Sequence, residues 1–335
     1  MTKQQTKSKH ETTYVGLDLG MRALKYFDDF GGLEMPSFVA VGGGATVGKM
    51  HGFKSQNAMQ MTVGNQRYYV GKNAHDQGRP IENLDYDRLT NSPEIIALLY
   101  GALTERINQH GDFDAPITCI VGMPIETLSG DDAKANVAAV RKWMRGKHTW
   151  DADGKTHQIE IADVKVTSQP AGALMDFLLD DDGVFIAERK GFMKKEVGVV
   201  SVGFNTLELM AVRDKTPVQR LTAGSTVGVR RLLELLNHDG HYSLGELDAS
   251  LRSGSLDLTE AMPIWQREVT GSIERKWGQQ WRRFERIIVV GGGAVLLGNT
   301  FINRFNGKAY VPDQPVLSIA RGLYKQAQAG RKRGA

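Results

Sequence analysis

Tyr14-Val15-Gly16-Leu17-Asp18-Leu19-Gly20 is an apolar run that stops on a glycine, and from Leu24 to Phe30 apolar and polar residues alternate. Strand, glycine turn and returning strand together predict a β-hairpin. The pattern returns in the second half, where Val197-Gly198-Val199-Val200-Ser201-Val202-Gly203 leads through Phe204-Asn205 into Thr206-Leu207-Glu208-Leu209-Met210-Ala211-Val212. At one constant offset Asp18 falls on Ser201, Gly20 on Gly203, Leu24 on Leu207 and Lys25 on Glu208. A strand-turn-strand unit is therefore duplicated.

Outward from the first hairpin, short strands are expected around 38–41, 61–63 and 67–70, then a helix opened by Ser92-Pro93 and running to about Gln109. Strand 117–122, helix 131–145, strand 164–167 and helix 170–179 follow. Beyond the second hairpin come helices near 228–237, 243–251 and 259–281, the strand 287–290, and a closing helix from 315 to about 327. Trp265, Trp277 and Trp281 lie at near-helical spacing and are expected in a core or subunit contact. Two hairpins, each heading a layer of alternating strands and helices, predict an α/β protein of two related domains with a ligand cleft between them. The expected boundaries are 13–168 plus 315–328 for the first domain, with a small β-rich insertion at about 31–80. The second spans 169–314 with a helical insertion at about 225–285, and a flexible basic arm (1–12) and a basic tail (329–335) flank the two.

Composition agrees: 335 residues at roughly 100–200 per domain allow two domains, and 41% hydrophobic with 24% charged residues excludes disorder and fibre. The balance of 42 basic against 38 acidic residues carries no message about partners. Positive charge gathers at the ends, in Lys3, Lys7, Lys9 and His10 and in Arg331-Lys332-Arg333, where a solvated terminus is the commoner reading. The single cysteine, Cys119, excludes an intramolecular disulfide. With neither a secretory apolar region nor a run of ~20 apolar residues, a cytoplasmic protein without a membrane partner is expected.

A glycine-bearing turn offers backbone N–H groups to a phosphate. Asp18 stands where a carboxylate would hold Mg²⁺ through its water shell, and Lys25 supplies a point charge. Taken singly, a turn-capping Asp and a solvated Lys are the commoner explanation, but duplication of the turn favours the phosphate. Gly291-Gly292-Gly293 follows the strand 287–290 at a strand-to-helix junction suited to close backbone approach. Neither Gly-x-Gly-x-x-Gly nor Gly-x-x-x-x-Gly-Lys-Ser/Thr occurs, which excludes a dinucleotide oxidoreductase and a P-loop enzyme.

Asp18-x-Gly20 with Lys25, Val121-Gly122-Met123-Pro124, the turn at Gly203, Val289-Val290-Gly291-Gly292-Gly293-Ala294 and Ser318-Ile319-Ala320-Arg321-Gly322-Leu323 occur in this order. The ordered set resembles the actin superfamily of ATPases. Within it, Tyr69-Val70-Gly71-Lys72-Asn73-Ala74 and the compact length resemble the ParM/StbA-type plasmid-segregation actins and their archaeal actin-like relatives. The resemblance implies an actin-like, ribonuclease-H-like duplicated fold holding ATP, or GTP, with Mg²⁺ between two domains. It implies Asp18 near the metal and Gln169 positioning the attacking water. It places Gly20, Met21, Arg22 and Lys25 at the first phosphate loop, and Gly203, Phe204, Asn205 and Thr206 at the second. Gly224 and Ser225 would lie near the ribose, and Gly291, Gly292, Gly293 and Ala294 would form the adenosine loop. Two residues depart from the pattern: Ser201 stands where the second loop begins with aspartate and is left as an outer-shell metal contact, and Met21 replaces a hydroxyl residue. The implied activity is slow ATP hydrolysis coupled to a homopolymeric filament in DNA or plasmid segregation. A ParR-type adaptor would link it to DNA, without direct sequence-specific DNA binding. A small-molecule kinase using Asp28, Asp29 or Asp163 as base, and a non-hydrolysing scaffold, are the alternatives.

Overall fold

A strand buried on both faces loses the two-residue alternation of a half-exposed one. The first strand of each predicted hairpin does so, being buried without interruption from Val15 to Leu19 and from Val197 to Val202. The structure, a computed structural model, describes residues 12–42, 58–82 and 85–334, the side chains of 332–334 excepted. The expected basic arm, apart from Thr12, lies outside the described residues, as do the side chains of Lys332 and Arg333.

The first half runs β1 (Thr13–Leu19), β2 (Ala23–Asp28), β3 (Gly31–Pro36), β4 (Val39–Val41), β5 (Met59–Val63), β6 (Gln66–Val70), α1 (Ala74–Gln77), β7 (Arg79–Ile81), α2 (Pro93–His110), β8 (Ile117–Met123), α3 (Ala133–Met144), β9 (Gly146–Ala152), β10 (Lys155–Ser168) and α4 (Gln169–Leu178). The second runs β11 (Glu196–Val202), β12 (Leu207–Arg213), β13 (Thr216–Pro217), β14 (Ala223–Ser225), α5 (Val229–Leu236), α6 (Leu244–Ser253), α7 (Ala261–Trp277), β15 (Arg286–Val290), α8 (Gly292–Arg304), β16 (Ala309–Tyr310) and α9 (Ser318–Gly334).

Two sheets repeat one topology. The order β3-β2-β1-β8-β10 in the first matches β13-β12-β11-β15-β16 in the second, with β14 also pairing β12. In both, the first three strands are antiparallel and the last two run parallel to the central one. The register repeats too: Asp18 faces Lys25 as Ser201 faces Glu208. Beyond β10 the first sheet continues antiparallel through β9, β5, β6, β4 and β7. There β9 alternates, turning His148 and Trp150 inward, and Trp150 stacks between Tyr100 and His157.

Several boundaries differ from expectation. The hairpin does not stop where the alternation ends at Phe30: Gly31, at φ 117°, opens a further antiparallel strand, β3. The strand at 164–167 starts at Lys155, because the hairpin around Gly154 carries it past an irregularity between Ile161 and Asp163. The helix expected to Trp281 ends at Trp277, where Gly278 takes φ 48°. The closing helix runs to Gly334 rather than about 327, through the strong helix formers Gln328 and Ala329.

Helices α4 and α9 lie between the sheets and share one apolar core with both: Ile120 of β8, Leu174 and Phe177 of α4, Val199 of β11, Ile288 of β15 and Leu323 of α9. The helices approach at backbone distance. A Cβ on Gly322 would lie 1.8 Å from the Gly172 carbonyl oxygen, and one on Gly16 of β1 would lie 2.0 Å from that of Ala320. Asp176 pins the pair: it accepts from the Ser318 hydroxyl at 2.7 Å and from the Arg321 guanidinium at 2.7 Å with both oxygens, with Lys325 at 3.0 Å. Burial works against its charge, but the Arg321 hydrogen bonds and the Lys325 charge outweigh it and hold the carboxyl below its usual range. Trp265, Trp277 and Trp281 fill the core of the second domain.

Gly322→Ala is expected to cost about 2 kcal/mol or more in denaturant unfolding, because the methyl meets fixed backbone. Gly330→Ala, on the same helix with open space around it, is expected to be neutral or to stabilise by about 0.5–1 kcal/mol.

Candidate functional site

The β1–β2 and β11–β12 turns face one another across a cleft of about 470 Å³. The carbonyls of Gly203, Phe204 and Asn205 accept from the first N–H groups of α5, those of Val229, Arg230 and Gly228, at 3.0, 2.7 and 3.3 Å. A planar trans peptide sets its N–H opposite its C=O. The N–H groups of Phe204, Asn205 and Thr206 therefore point away from α5, and all three residues line the cleft. The first turn is held likewise: the Gly20 carbonyl accepts from Ser37 Oγ at 2.9 Å and from the buried Arg88 at 3.0 Å, and the Arg22 carbonyl from Ser37 N at 2.8 Å. Burial lowers the Arg88 pKa to about 10, within the charged range at neutral pH.

Asp18 sits at the floor, 3% exposed, and is held from two sides. Gln169, the first residue of α4, donates from Nε2 to Asp18 Oδ1 at 2.7 Å, and Lys25 Nζ lies 3.4 Å from Oδ2. An ionised carboxylate only accepts, so Asp18 fixes the Gln169 amide with its NH₂ inward and its oxygen as the end left for another donor. Gly122, beside Asp18 in the sheet, leaves the room: a Cβ there would lie 3.3 Å from Gln169 Cγ.

In the second half Ser201 lines the cleft where Asp18 does in the first, and Glu208 replaces Lys25. Glu208 is 1% exposed, and its Oε1 accepts from Ile125 N of the first domain at 2.6 Å. Burial, aided by the charges of Asp18 and Glu126, pushes its carboxyl up to about 8 against the pull of that hydrogen bond.

Of the residues singled out from sequence, Asp18, Gly20, Met21, Arg22 and Lys25 line the cleft from the first domain. Gln169, Ser201 and the Gly203–Thr206 turn line it too, with Gly291 and Gly292. Gly224 and Ser225 do not; they pair with Glu208 and Leu207 in the sheet, and Gly224 packs on Glu126. Gly293 packs against Val202 and Trp265, and Ala294 is buried in the second core. Asp28 is tied to Arg106 and Tyr26, Asp29 to Tyr324, and neither they nor Asp163 line the cleft. Sequence reasoning passed over Glu208, Arg88 and the acid–base set Glu34, Asp248 and Arg252 at the cleft wall. Only Glu208 left a signal, in its alignment with Lys25.

The family described as actin like proteins, N terminal domain, matches residues 16–172. The chain carries an actin-like N-terminal domain on an actin-like fold. Across the whole length it is similar to apo pSK41 ParM (16% identity, TM-score 0.74, 97% of this chain and 99% of that one). It is also similar to the archaeal actin homologue Ta0583 in complex with ADP (20%, 0.72, 95% and 99%). A third similar structure is the 15-stranded ParM filament from Clostridium botulinum (18%, 0.74, 95% and 99%). No curated protein matches the sequence. The actin-like duplication explains the paired turns.

Glu208 gives the fold a pH dependence. From its ordinary 4.5 to about 8 the folded state keeps a proton that the unfolded chain has lost, so this group's contribution falls as pH rises through that window and is level above it. Glu208→Gln is expected to flatten that part of the decline in thermal melts between pH 4.5 and 8.

Proposed function

We propose that this actin-like protein binds ATP with Mg²⁺ in the cleft, hydrolyses it slowly and assembles with its own kind into filaments. The observation that carries this reading is Asp18 held between Gln169 and Lys25 beneath two turns that line one cavity. The donor set fits Mg²⁺: among the described residues no three His, Cys, Asp or Glu side chains gather, as suits an ion held by phosphates, water and one carboxylate. Asp18 would hold it through water, with the Ser201 hydroxyl as a further outer contact. When bound, the ion neutralises charge on the phosphates. Lys25 and the turn N–H groups hold the phosphates, and the free oxygen of Gln169 accepts from the water that attacks. Positioning of that kind is most of what phosphoryl transfer requires.

Filament formation is supported by the similarity to the ParM filament, and nucleotide binding by that to Ta0583 with ADP. A role in DNA or plasmid segregation through a ParR-type adaptor extends the same likeness. Ser201 favours a second reading, a nucleotide-binding scaffold that does not hydrolyse, because the outer shell loses a carboxylate.

Light scattering and electron microscopy should show filaments on addition of ATP–Mg²⁺; a protein that stays monomeric with ATP and with GTP would rule assembly out. Gln169→Ala is expected to slow phosphate release ~100-fold while leaving ATP binding intact; wild-type protein that binds ATP yet releases no phosphate would support the scaffold. Ser201→Asp is expected to lower the Mg²⁺ concentration for half-maximal release on the order of tenfold.

A further inference from the structure

Two ion pairs join the domains across the cleft, and we infer that Arg22, Glu34, Asp248 and Arg252 form a latch that holds the cleft closed and so sets how fast nucleotide leaves. The second half of this inference rests on nucleotide being the cleft's ligand. Arg22, in the first phosphate turn, and Glu34, on β3, belong to the first domain; Asp248 and Arg252 lie one turn apart on α6 of the second. Arg22 reaches Asp248 at 2.5 Å, Arg252 reaches Glu34 at 2.7 Å, and Arg252 Nε donates to Asp248 at 2.7 Å within α6. The charges alternate and cancel. Opening the cleft breaks the first two pairs and leaves the third intact.

The inner pair is well placed to hold. The side chains of Arg22 and Asp248 are 11% and 5% exposed, where salt screens little. The Arg22 guanidinium lies 3.8 Å from the Phe38 ring centroid and 5.7 Å from that of Phe204 in the opposite turn. The outer pair is weaker, with Arg252 51% exposed. Ser243 and Glu246 close a capping box at the start of α6, and His75 and Phe38 of the first domain pack on its Gly245. The helix contacts α5, whose N-terminus carries the second phosphate turn. Arg22 thus links one phosphate turn, through Asp248 of α6, to the helix that packs on α5, as a positioning residue.

The test has two readouts. In stopped flow with a fluorescent ADP analogue, Asp248→Asn is expected to raise the dissociation rate roughly tenfold by leaving buried Arg22 without its counter-charge. Glu34→Gln and Arg252→Gln each raise it about two- to threefold, and Glu34→Gln adds nothing once Arg252→Gln is in place. Nucleotide that binds every variant and leaves at the wild-type rate overturns the latch. The second readout needs no nucleotide: spin labels at Asn65→Cys and Asp239→Cys, both exposed, report domain spacing, native Cys119 being buried with its thiol pushed up to about 12. Asp248→Asn is expected to lengthen and broaden the distance, and an unchanged distribution overturns the latch. Wild-type protein that binds no nucleotide overturns the proposed function and leaves this second test standing.

Discussion

The approach of α4 and α9 at Gly172 and Gly322 is the constraint on which the arrangement depends. With no side chain at either position, the two helices sit close enough to form one layer, and each sheet packs a face against it. Because α9 also crosses β1 at Gly16, the central strand of the first domain is fixed relative to that layer. The ends of β1 and β11 are then brought opposite one another, so the cleft follows from helix packing and needs no separate device. Asp176, tied to Ser318, Arg321 and Lys325, locks the helices by charge where glycine removes bulk.

The duplication is faithful in backbone and unequal in charge. In the first half a carboxylate faces an ammonium; in the second a hydroxyl faces a carboxyl that burial keeps protonated up to about 8. The cleft floor therefore pairs Asp18 with Lys25 in the first half, while burial biases the Glu208 carboxyl in the second toward its neutral form. Binding of the proposed polyphosphate ligand would gain from that economy, since each further negative charge would oppose it. The cost is a thinner outer shell for a metal on the Ser201 side.

Much of this was legible in the sequence because it is written locally. Apolar runs ending on Gly20 and Gly203 mark both hairpins, and their constant offset gives the duplication without any knowledge of tertiary structure. Legibility fails where neighbours in space are distant in the chain. Arg88 holds the Gly20 carbonyl across 68 positions, and Arg252 meets Glu34 across 218, with nothing in either local pattern to announce it. It fails again where the chain gives equivalent residues unequal roles. Gly291-Gly292-Gly293 is one motif, but the rotation of α8 sends Gly293 into Val202 and leaves the first two at the cleft. Gly224 and Ser225, expected near the ribose, are taken up by a strand that pairs with β12.

The proposed function turns on the two turns acting together on phosphate. Calorimetric titration of the wild-type protein with ATP–Mg²⁺ and, separately, with adenosine tests this most directly. With both turns and Lys25 engaging the phosphates, ATP–Mg²⁺ should bind at least 100-fold more tightly than adenosine, on the order of the gain expected from several charge-assisted hydrogen bonds. Equal affinity for the two, or no binding of ATP–Mg²⁺, would contradict it.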